Sequence, residues 1–410
     1  MKDNGKQHRR FIPYCLSAVL TACAVIAALC FYRAKAVTFP ELPRDSFYGR
    51  KYAGSIVRSE PSVSPVVNTW YSITPVNGFS SDRTGWHGVF RKGTENKVIV
   101  YFFGGGVSIN EETERRYAEF FNSSYGNQDY TATLGISSQD KENPFRDWTV
   151  IGIPYSTGDF HIGTGEYRWS DEDGRMNEIC HYGYFNYDAV MDEAERFIGE
   201  PDTLLITGFS AGGFAAALLA DDVMKRIPSA SNVTVCCDSA LLLYDGWQET
   251  ASNLWKAPSH ITERLHSQNI MLDALTALKK SRGDSVKILF DCSLRDSTLT
   301  VYQSYIDHGV FSVSESTEEN GDIFMNNLKQ MVHDLQESVP DCGIYIFENG
   351  TDSSTHNTRH MIINSADVYK PLCDDTSIMD WIESAVQGDV SSHGLDLLEP
   401  DGSAEEPAAQ

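Results

Sequence analysis

Thr203-Leu204-Leu205-Ile206-Thr207-Gly208-Phe209-Ser210-Ala211-Gly212-Gly213-Phe214-Ala215-Ala216-Ala217-Leu218-Leu219-Ala220 is the stretch on which the fold of this chain turns. Its first five residues are apolar or β-branched and too few for a helix, so they suit a buried parallel strand. From Phe214 the chain is built of strong helix formers, with polar side chains only from Asp221. Between the two stands one serine flanked by glycines. A sharp strand-to-helix turn leaves no room for Cβ atoms beside the serine, and glycines relieve that crowding. Such a turn presents a serine hydroxyl as a nucleophile. An ordinary β-to-α turn can carry the same short pattern, so the remainder of the chain has to decide.

Strand-like runs recur at Lys97–Phe103, Trp148–Ile153, Thr203–Thr207, Val233–Cys237, Val286–Phe290 and Gly343–Phe347. Helical patterns fall at Tyr187–Ile198, Phe214–Lys225, Ser267–Lys280, Met325–Glu337 and Ser377–Val386. Strands separated by helices need crossover connections, hence an α/β fold with a mostly parallel central sheet and helices on both faces. A small β entry runs from Asn68 to Phe90. One catalytic domain over residues 65–388 is the simplest division. Residues 37–64, rich in Pro, Ser and charge, read as a lead-in or stalk, and the acidic stretch 389–410 reads as a disordered tail. Two long segments, Ser108–Pro144 and Thr157–Tyr184, each follow a strand. Loops at the carboxyl ends of parallel strands surround the site in open α/β sheets.

The formal net charge of -24 argues against nucleic acid or an anionic membrane surface as a main partner. Lys2, Lys6, Arg9 and Arg10 precede an uncharged run from Phe11 to Tyr32, closed by Arg33 and Lys35. A cleavable signal has an apolar core of about 7–15 residues, whereas about 20 span a bilayer. Residues 1–36 therefore read as a signal-anchor with a cytoplasmic basic flank, and the catalytic domain as extracytoplasmic at the cell membrane. Ala34-Lys35-Ala36 offers a cleavage site and secretion instead, and Leu20-Thr21-Ala22-Cys23 offers lipoprotein attachment at Cys23. All three routes export the rest. Cys180, Cys236, Cys237, Cys292, Cys342 and Cys373 lie beyond that run, and their spacing assigns no disulfide pairs. No Cys-x-x-Cys pair and no His-Glu-x-x-His supports a metal site, and no cofactor is expected.

Acyl transfer by serine needs a base, an orienter for the base and donors for the oxyanion. Val98–Phe103 runs into Gly104-Gly105-Gly106, an oxyanion turn of the HGGG type. The amides of Gly105 and Gly106, with that of Ala211, are the candidate oxyanion donors. In an α/β-hydrolase the acid follows the serine and the histidine comes last. Asp291 and Asp296 follow the Val286–Phe290 strand, and His356 and His360 follow the Gly343–Phe347 strand. Asp238, ending an intermediate strand, is a third carboxylate candidate.

With these residues in hand, the chain resembles the pectin acetylesterase/Notum family of α/β-hydrolases. The resemblance is carried by Val98–Ser108, by Val150-Ile151-Gly152-Ile153-Pro154-Tyr155-Ser156-Thr157-Gly158-Asp159-Phe160-His161-Ile162-Gly163, by the Gly208–Gly213 elbow and by Asp238-Ser239. Asp296-Ser297-Thr298-Leu299 and His360-Met361-Ile362-Ile363 are similar to its acid-bearing and histidine-bearing segments. The resemblance implies a triad of Ser210, Asp296 and His360, needing neither metal nor cofactor. Where many members have Cys, this chain has Ser108 and Ser156, so their disulfides do not transfer. Asp159 and His161 match the family motif and read as supports of the site wall. The expected activity is that of a serine carboxylesterase acting on an O-acyl ester, with acetyl on a carbohydrate foremost. A lipid or protein deacylase of the same family and an anchored, non-catalytic ligand-binding homologue are the alternatives.

Overall fold

The computed structural model describes residues 38–43 and 63–399. The apolar run 11–32, with its anchor, cleavage and lipoprotein readings, and most of the lead-in lie outside the described residues, as do residues 400–410. Among the described residues no helix is long and apolar enough to cross a membrane.

Twelve strands follow in chain order among the described residues: β1 (Trp70–Ile73), β2 (Gly88–Arg91), β3 (Lys97–Phe102), β4 (Thr149–Ile153), β5 (Gly165–Ser170), β6 (Met176–His181), β7 (Thr203–Phe209), β8 (Asn232–Asp238), β9 (Lys287–Ser293), β10 (Gly343–Phe347) and the short pair β11 (Pro371–Cys373) and β12 (Thr376–Ser377). Eight of them form one sheet in the order β1-β2-β4-β3-β7-β8-β9-β10, and β5 and β6 pair apart from it as a hairpin. From β4 to β10 every neighbouring pair is parallel, while β1, β2 and β4 pair antiparallel at one edge. The main helices are α1 (Glu111–Arg115), α2 (Gly183–Ile198), α3 (Ala211–Arg226), α4 (Ile270–Arg282), α5 (Ser297–His308), α6 (Glu318–Ser338) and α7 (Ile378–Gln387). All residues of β4, β7 and β10 are buried. Successive strand side chains point to opposite faces, so full burial means both faces of the sheet are covered. This is the mostly parallel α/β sheet expected from the alternation of strands and helices, and it agrees with the α/β-hydrolase fold that the family resemblance implies.

The expected strands and helices all form, and the differences from the sequence reading lie at their ends. β7 continues through Gly208 and Phe209 up to the serine, and β9 continues through Asp291, Cys292 and Ser293. Helix α5 was not expected, because Ser297-Thr298-Leu299-Thr300-Val301-Tyr302 is rich in strand formers. It is started by its N-cap: the Asp296 carboxylate accepts from the amides of Thr298 (3.0 Å) and Leu299 (2.9 Å). The segment 157–184, read as a loop, contains the β5–β6 hairpin.

The tail reading needs correction. Residues 389–399 do not leave the domain as a disordered acidic tail. His393 pairs along the free edge of β10, its amide donating to the Ile344 carbonyl (2.8 Å) and its carbonyl accepting from the Ile346 amide (3.0 Å). The Trp381 indole donates to the Ser391 carbonyl at 2.8 Å, and Leu398 is buried. Low apolar content hid this, because the segment is held by main-chain pairing, which composition does not record. It also covers an edge that would otherwise present unpaired backbone groups. A chain ended after Glu399 is expected to melt with the full-length protein. One ended after Gly388 should lose about 2–3 kcal/mol, given roughly 1 kcal/mol per lost hydrogen bond, and aggregate more readily. Thermal melts of the two truncations decide this.

Candidate active site

The serine sits where the backbone is most crowded. Ser210 adopts φ 55 and ψ −126 between β7 and α3, a conformation that costs a non-glycine residue about 1–3 kcal/mol. A Cβ at Gly208 would overlap the carbonyl oxygen of Gly212, and one at Gly212 would overlap that of Phe102 at the end of β3. Glycine is therefore required at both positions by close approach. The strain is held by the Ser210 amide, which donates to the Asp238 carbonyl at 2.8 Å, and by the buried first turns of α3.

The glycine turn arrives beside it through the register of the sheet. Phe102 of β3 pairs with Gly208 of β7, so two residues later Gly104 meets Ser210, and a Cβ at Gly104 would stand 2.7 Å from the Ser210 Cβ. Gly106 has φ 88, and a Cβ there would also overlap the Phe120 carbonyl oxygen. The insertion 108–144 folds back onto this turn: the Asn122 amide donates to the Gly105 carbonyl (2.8 Å) and the Val107 amide to the Phe120 carbonyl (3.2 Å). Among the described residues, the amides of Gly105, Gly106 and Ala211 donate to no protein acceptor. Three free donors gathered at the first turn of a helix suit a developing oxyanion.

The structure separates the acid and base candidates that the chain order left open. The Asp296 Oδ2 and His360 Nδ1 are 2.6 Å apart, while Asp296 Oδ1 caps α5. Their two loops are joined along the backbone, the Thr358 amide donating to the Arg295 carbonyl (3.0 Å) and the Ser297 amide to the Thr358 carbonyl (2.9 Å). His360 is 11% exposed, and its Nε2 is buried without a hydrogen-bond partner. Burial disfavours the charged imidazole, but the charge and hydrogen bond of Asp296, helped by Asp238, outweigh it and raise its pKa. His356, by contrast, is 61% exposed and pairs with Glu318. Asp291 lies within β9 beside Asp238, where burial holds its carboxyl well above the usual carboxylate range. Asp238 is fully buried, and its Oδ2 accepts from the amides of Ile362 (2.8 Å) and Ile363 (2.9 Å). Neither Asp238 nor Asp291 hydrogen-bonds the His360 ring.

Comparison with known proteins gives the same frame. A family model described as Pectinacetylesterase matches residues 86–290, half of the chain. A crystal structure of the Wnt deacylase Notum from Drosophila superposes with a TM-score of 0.52 at 17% identity, over 78% of this chain and 94% of that chain. At that identity the likeness speaks for the fold. No curated protein matches the chain.

Asp159 and His161, read from the sequence as supports of the site wall, make contacts that the sequence did not specify. His161 Nε2 donates to the carbonyl of Phe103, immediately before the glycine turn, at 2.9 Å, and burial lowers its pKa to about 4, so the ring is neutral. Asp159 accepts from the amides of Gly163 (3.1 Å) and of Gly183 at the start of α2 (2.8 Å). Both residues thus brace the site wall. Ser156 and Ser108, standing where the family resemblance has Cys, are buried and hydrogen-bonded, Ser156 Oγ to Ser80 Oγ (3.0 Å) and Ser108 Oγ to Glu114. The six cysteines among the described residues are free. His333, Asp334 and Glu337 on α6 bring three ligating atoms together on an exposed face, a common occurrence on acidic helices.

Glu114 also faces His181, 3.0 Å from its Nε2, and the His181 Nδ1 donates to the Thr157 carbonyl at 2.7 Å. Neither side chain is exposed to solvent. Burial alone would lower the His181 pKa, but the charge and hydrogen bond of Glu114 win and raise it. A raised folded pKa means the stabilisation is complete below the unfolded value of about 6.5 and fades as pH rises through the folded one. The melting temperature should therefore decline on the alkaline side of neutrality. His181→Gln should lower it overall by an amount corresponding to about 3–5 kcal/mol and remove this part of the pH dependence. Melts of the two proteins from pH 5 to 9 check both points.

Proposed function

Because the chain belongs to the pectinacetylesterase family, we propose that it is a serine carboxylesterase that removes an O-acyl group, foremost acetyl, from a carbohydrate. The observation that carries this reading is the 2.6 Å contact of Asp296 with His360 Nδ1, which leaves the buried Nε2 unpartnered. Asp296 fixes the tautomer with the proton on Nδ1, so Nε2 has its lone pair available as a general base. Ser210 Oγ attacks the ester carbonyl and its proton passes to Nε2. The oxyanion forms against the amides of Gly105, Gly106 and Ala211, each such donor contributing about 10²–10³ in rate. Collapse of the tetrahedral species breaks the ester bond, and the imidazolium gives its proton to the leaving sugar oxygen. Water, deprotonated by the same histidine, then attacks the acyl-enzyme, releases the carboxylate and restores Ser210.

The charge on the imidazolium is balanced by Asp296, itself steadied by the first-turn amides of α5. Acetyl on a sugar is favoured over a long acyl chain on the strength of the family alone. The export and anchoring of the domain rest on the sequence of the apolar run 11–32 and complete the proposal: an esterase acting outside the cytoplasm.

Two measurements test it. Ser210→Ala should abolish acetate release from nitrophenyl acetate and acetylated sugars, and Asp296→Asn should lower kcat by about 10⁴ through the wrong tautomer. Because the base must be neutral and its pKa is raised, kcat/KM should fall on the acid side with a midpoint above the ordinary histidine value of about 6.5. A nitrophenyl ester series that peaks at long chains would instead assign the protein as a lipid or protein deacylase. Full activity in Ser210→Ala would remove the nucleophile assignment.

A further inference from the structure

Asp238 was one of three carboxylates that could have oriented the base, and it does not touch the imidazole. Its contacts are of another kind. Its main-chain carbonyl accepts from the Ser210 amide at 2.8 Å. Its Oδ2 accepts from the amides of Ile362 and Ile363, and its Oδ1 from the Ser239 hydroxyl at 2.7 Å. The Ser239 Oγ in turn accepts from the Met361 amide at 3.1 Å. The three amides that follow His360 are therefore all tied to Asp238-Ser239, and the amide of the nucleophile is tied to the same residue from the other side. Met361 and Ser239 both have positive φ (57 and 52), so this junction is held in a conformation that neither residue prefers.

We propose that Asp238 is the positioning residue that sets the spacing of nucleophile and base, its carbonyl fixing Ser210 and its carboxylate fixing the backbone behind His360. The inference rests on the serine-esterase reading of the site. A single rigid link between the two is the physical need. Ser210 comes from β7 and His360 from the loop after β10, and two strands separate β7 from β10 in the sheet. Strand pairing fixes the strands themselves, and the bonds of Thr358 to residues 295–297 tie the loop after β10 to the acid but not to Ser210. A displacement of about 1 Å can cost roughly 10²-fold in rate. β8 is the strand next to β7, and its last residue is long enough to reach the histidine loop.

The chemistry of the side chain matters as well as its reach. Two amides and a hydroxyl converge on it, which suits an acceptor-only group. The groups facing Asp238 are Tyr101 on β3, Cys236 and Cys237 on β8, Asp291 and Cys292 on β9, and His360. Burial drives Tyr101, the three thiols and Asp291 toward their neutral forms. His360, between Asp296 and Asp238, is the member of the set whose ordinary pKa lies near neutrality. Burial raises the pKa of Asp238 itself, opposed by the hydrogen bonds it receives from Ile362, Ile363, Ser239 and the neutral Asp291 carboxyl. In its ionised form Asp238 favours the imidazolium that the reaction generates.

The test compares wild type, Asp238→Asn, Asp238→Ala and Ser239→Ala, each counted by fluorophosphonate titration so that rates refer to competent sites. A wild type that neither takes up the probe nor hydrolyses esters refutes the esterase reading itself, and with it the inference. With wild type labelled, Asp238→Ala should lose about 10²-fold in kcat per labelled site with KM nearly unchanged. Asp238→Asn keeps the shape and loses the charge, so the acid limb of kcat/KM should move to lower pH. Ser239→Ala, which frees only the Met361 amide, should lose less in kcat. If Asp238→Ala does not fold, the pH profile of Asp238→Asn and the rate of Ser239→Ala decide the matter. A merely structural role would reduce the number of labelled sites yet leave kcat per site and the pH profile of every folded variant unchanged, and that result overturns the proposal.

Discussion

The constraint on which the rest depends is steric: the turn between β7 and α3 lies so close to the end of β3 that two of its positions have no space for a Cβ. That contact, between Gly212 and the Phe102 carbonyl, joins the start of the helix to the neighbouring strand. It gives Ser210 its left-handed backbone and sets the glycine turn against it. Because β3 and β7 are parallel and paired Phe102 to Gly208, the residues just beyond both strands must meet. Ser210, the proposed nucleophile, and its candidate oxyanion donors are thus aligned by sheet register, before any side chain is considered.

The following strands extend the same device. β8 ends in Asp238, the loop after β9 carries Asp296 and the loop after β10 carries His360, so three successive neighbours deliver polar groups to one end of the sheet. Each is buried or nearly so, and each has partners in place that offset desolvation: helix-cap amides for Asp296, loop amides for Asp238 and Asp296 for His360. The long insertions add braces around the candidate site. His161 and Asp159 hold the glycine turn and the start of α2, and the buried pair of Glu114 and His181 joins the two insertions to each other. Ser108 hydrogen-bonds to that same pair, at a position where the family resemblance has a cysteine. A pH-sensitive tie therefore stands near Ser108, where many members of the family have a cysteine.

The legibility of the site followed the range of the interactions that make it. The elbow and the glycine turn are local, each a few residues of special backbone, and their glycines are visible in the string. Asp296 against Asp291 is a distinction of five residues that periodicity does not make. It follows from where β9 ends: Asp291 is still inside the strand, whereas Asp296 has reached the helix cap. His360 against His356 is likewise decided by which of them the paired backbones of residues 295–297 and 358 bring to the carboxylate. The tail after Gly388 was misread because edge pairing draws on backbone groups that every residue has.

What the amino-acid sequence determined by itself was the alternation of strands and helices, hence the parallel sheet, and the identity of the serine at its sharpest turn. These are set by propensity, periodicity and the space a glycine leaves, all of which act over a few residues. Only the tertiary structure decided which acid meets which histidine, that Asp238 bonds both the Ser210 amide and the loop after His360, and that buried serines, Glu114 and His181 tie the insertions together. Most of those contacts join residues tens to more than a hundred positions apart. Their partners are chosen by strand order and loop closure, and one chain read alone carries no record of either.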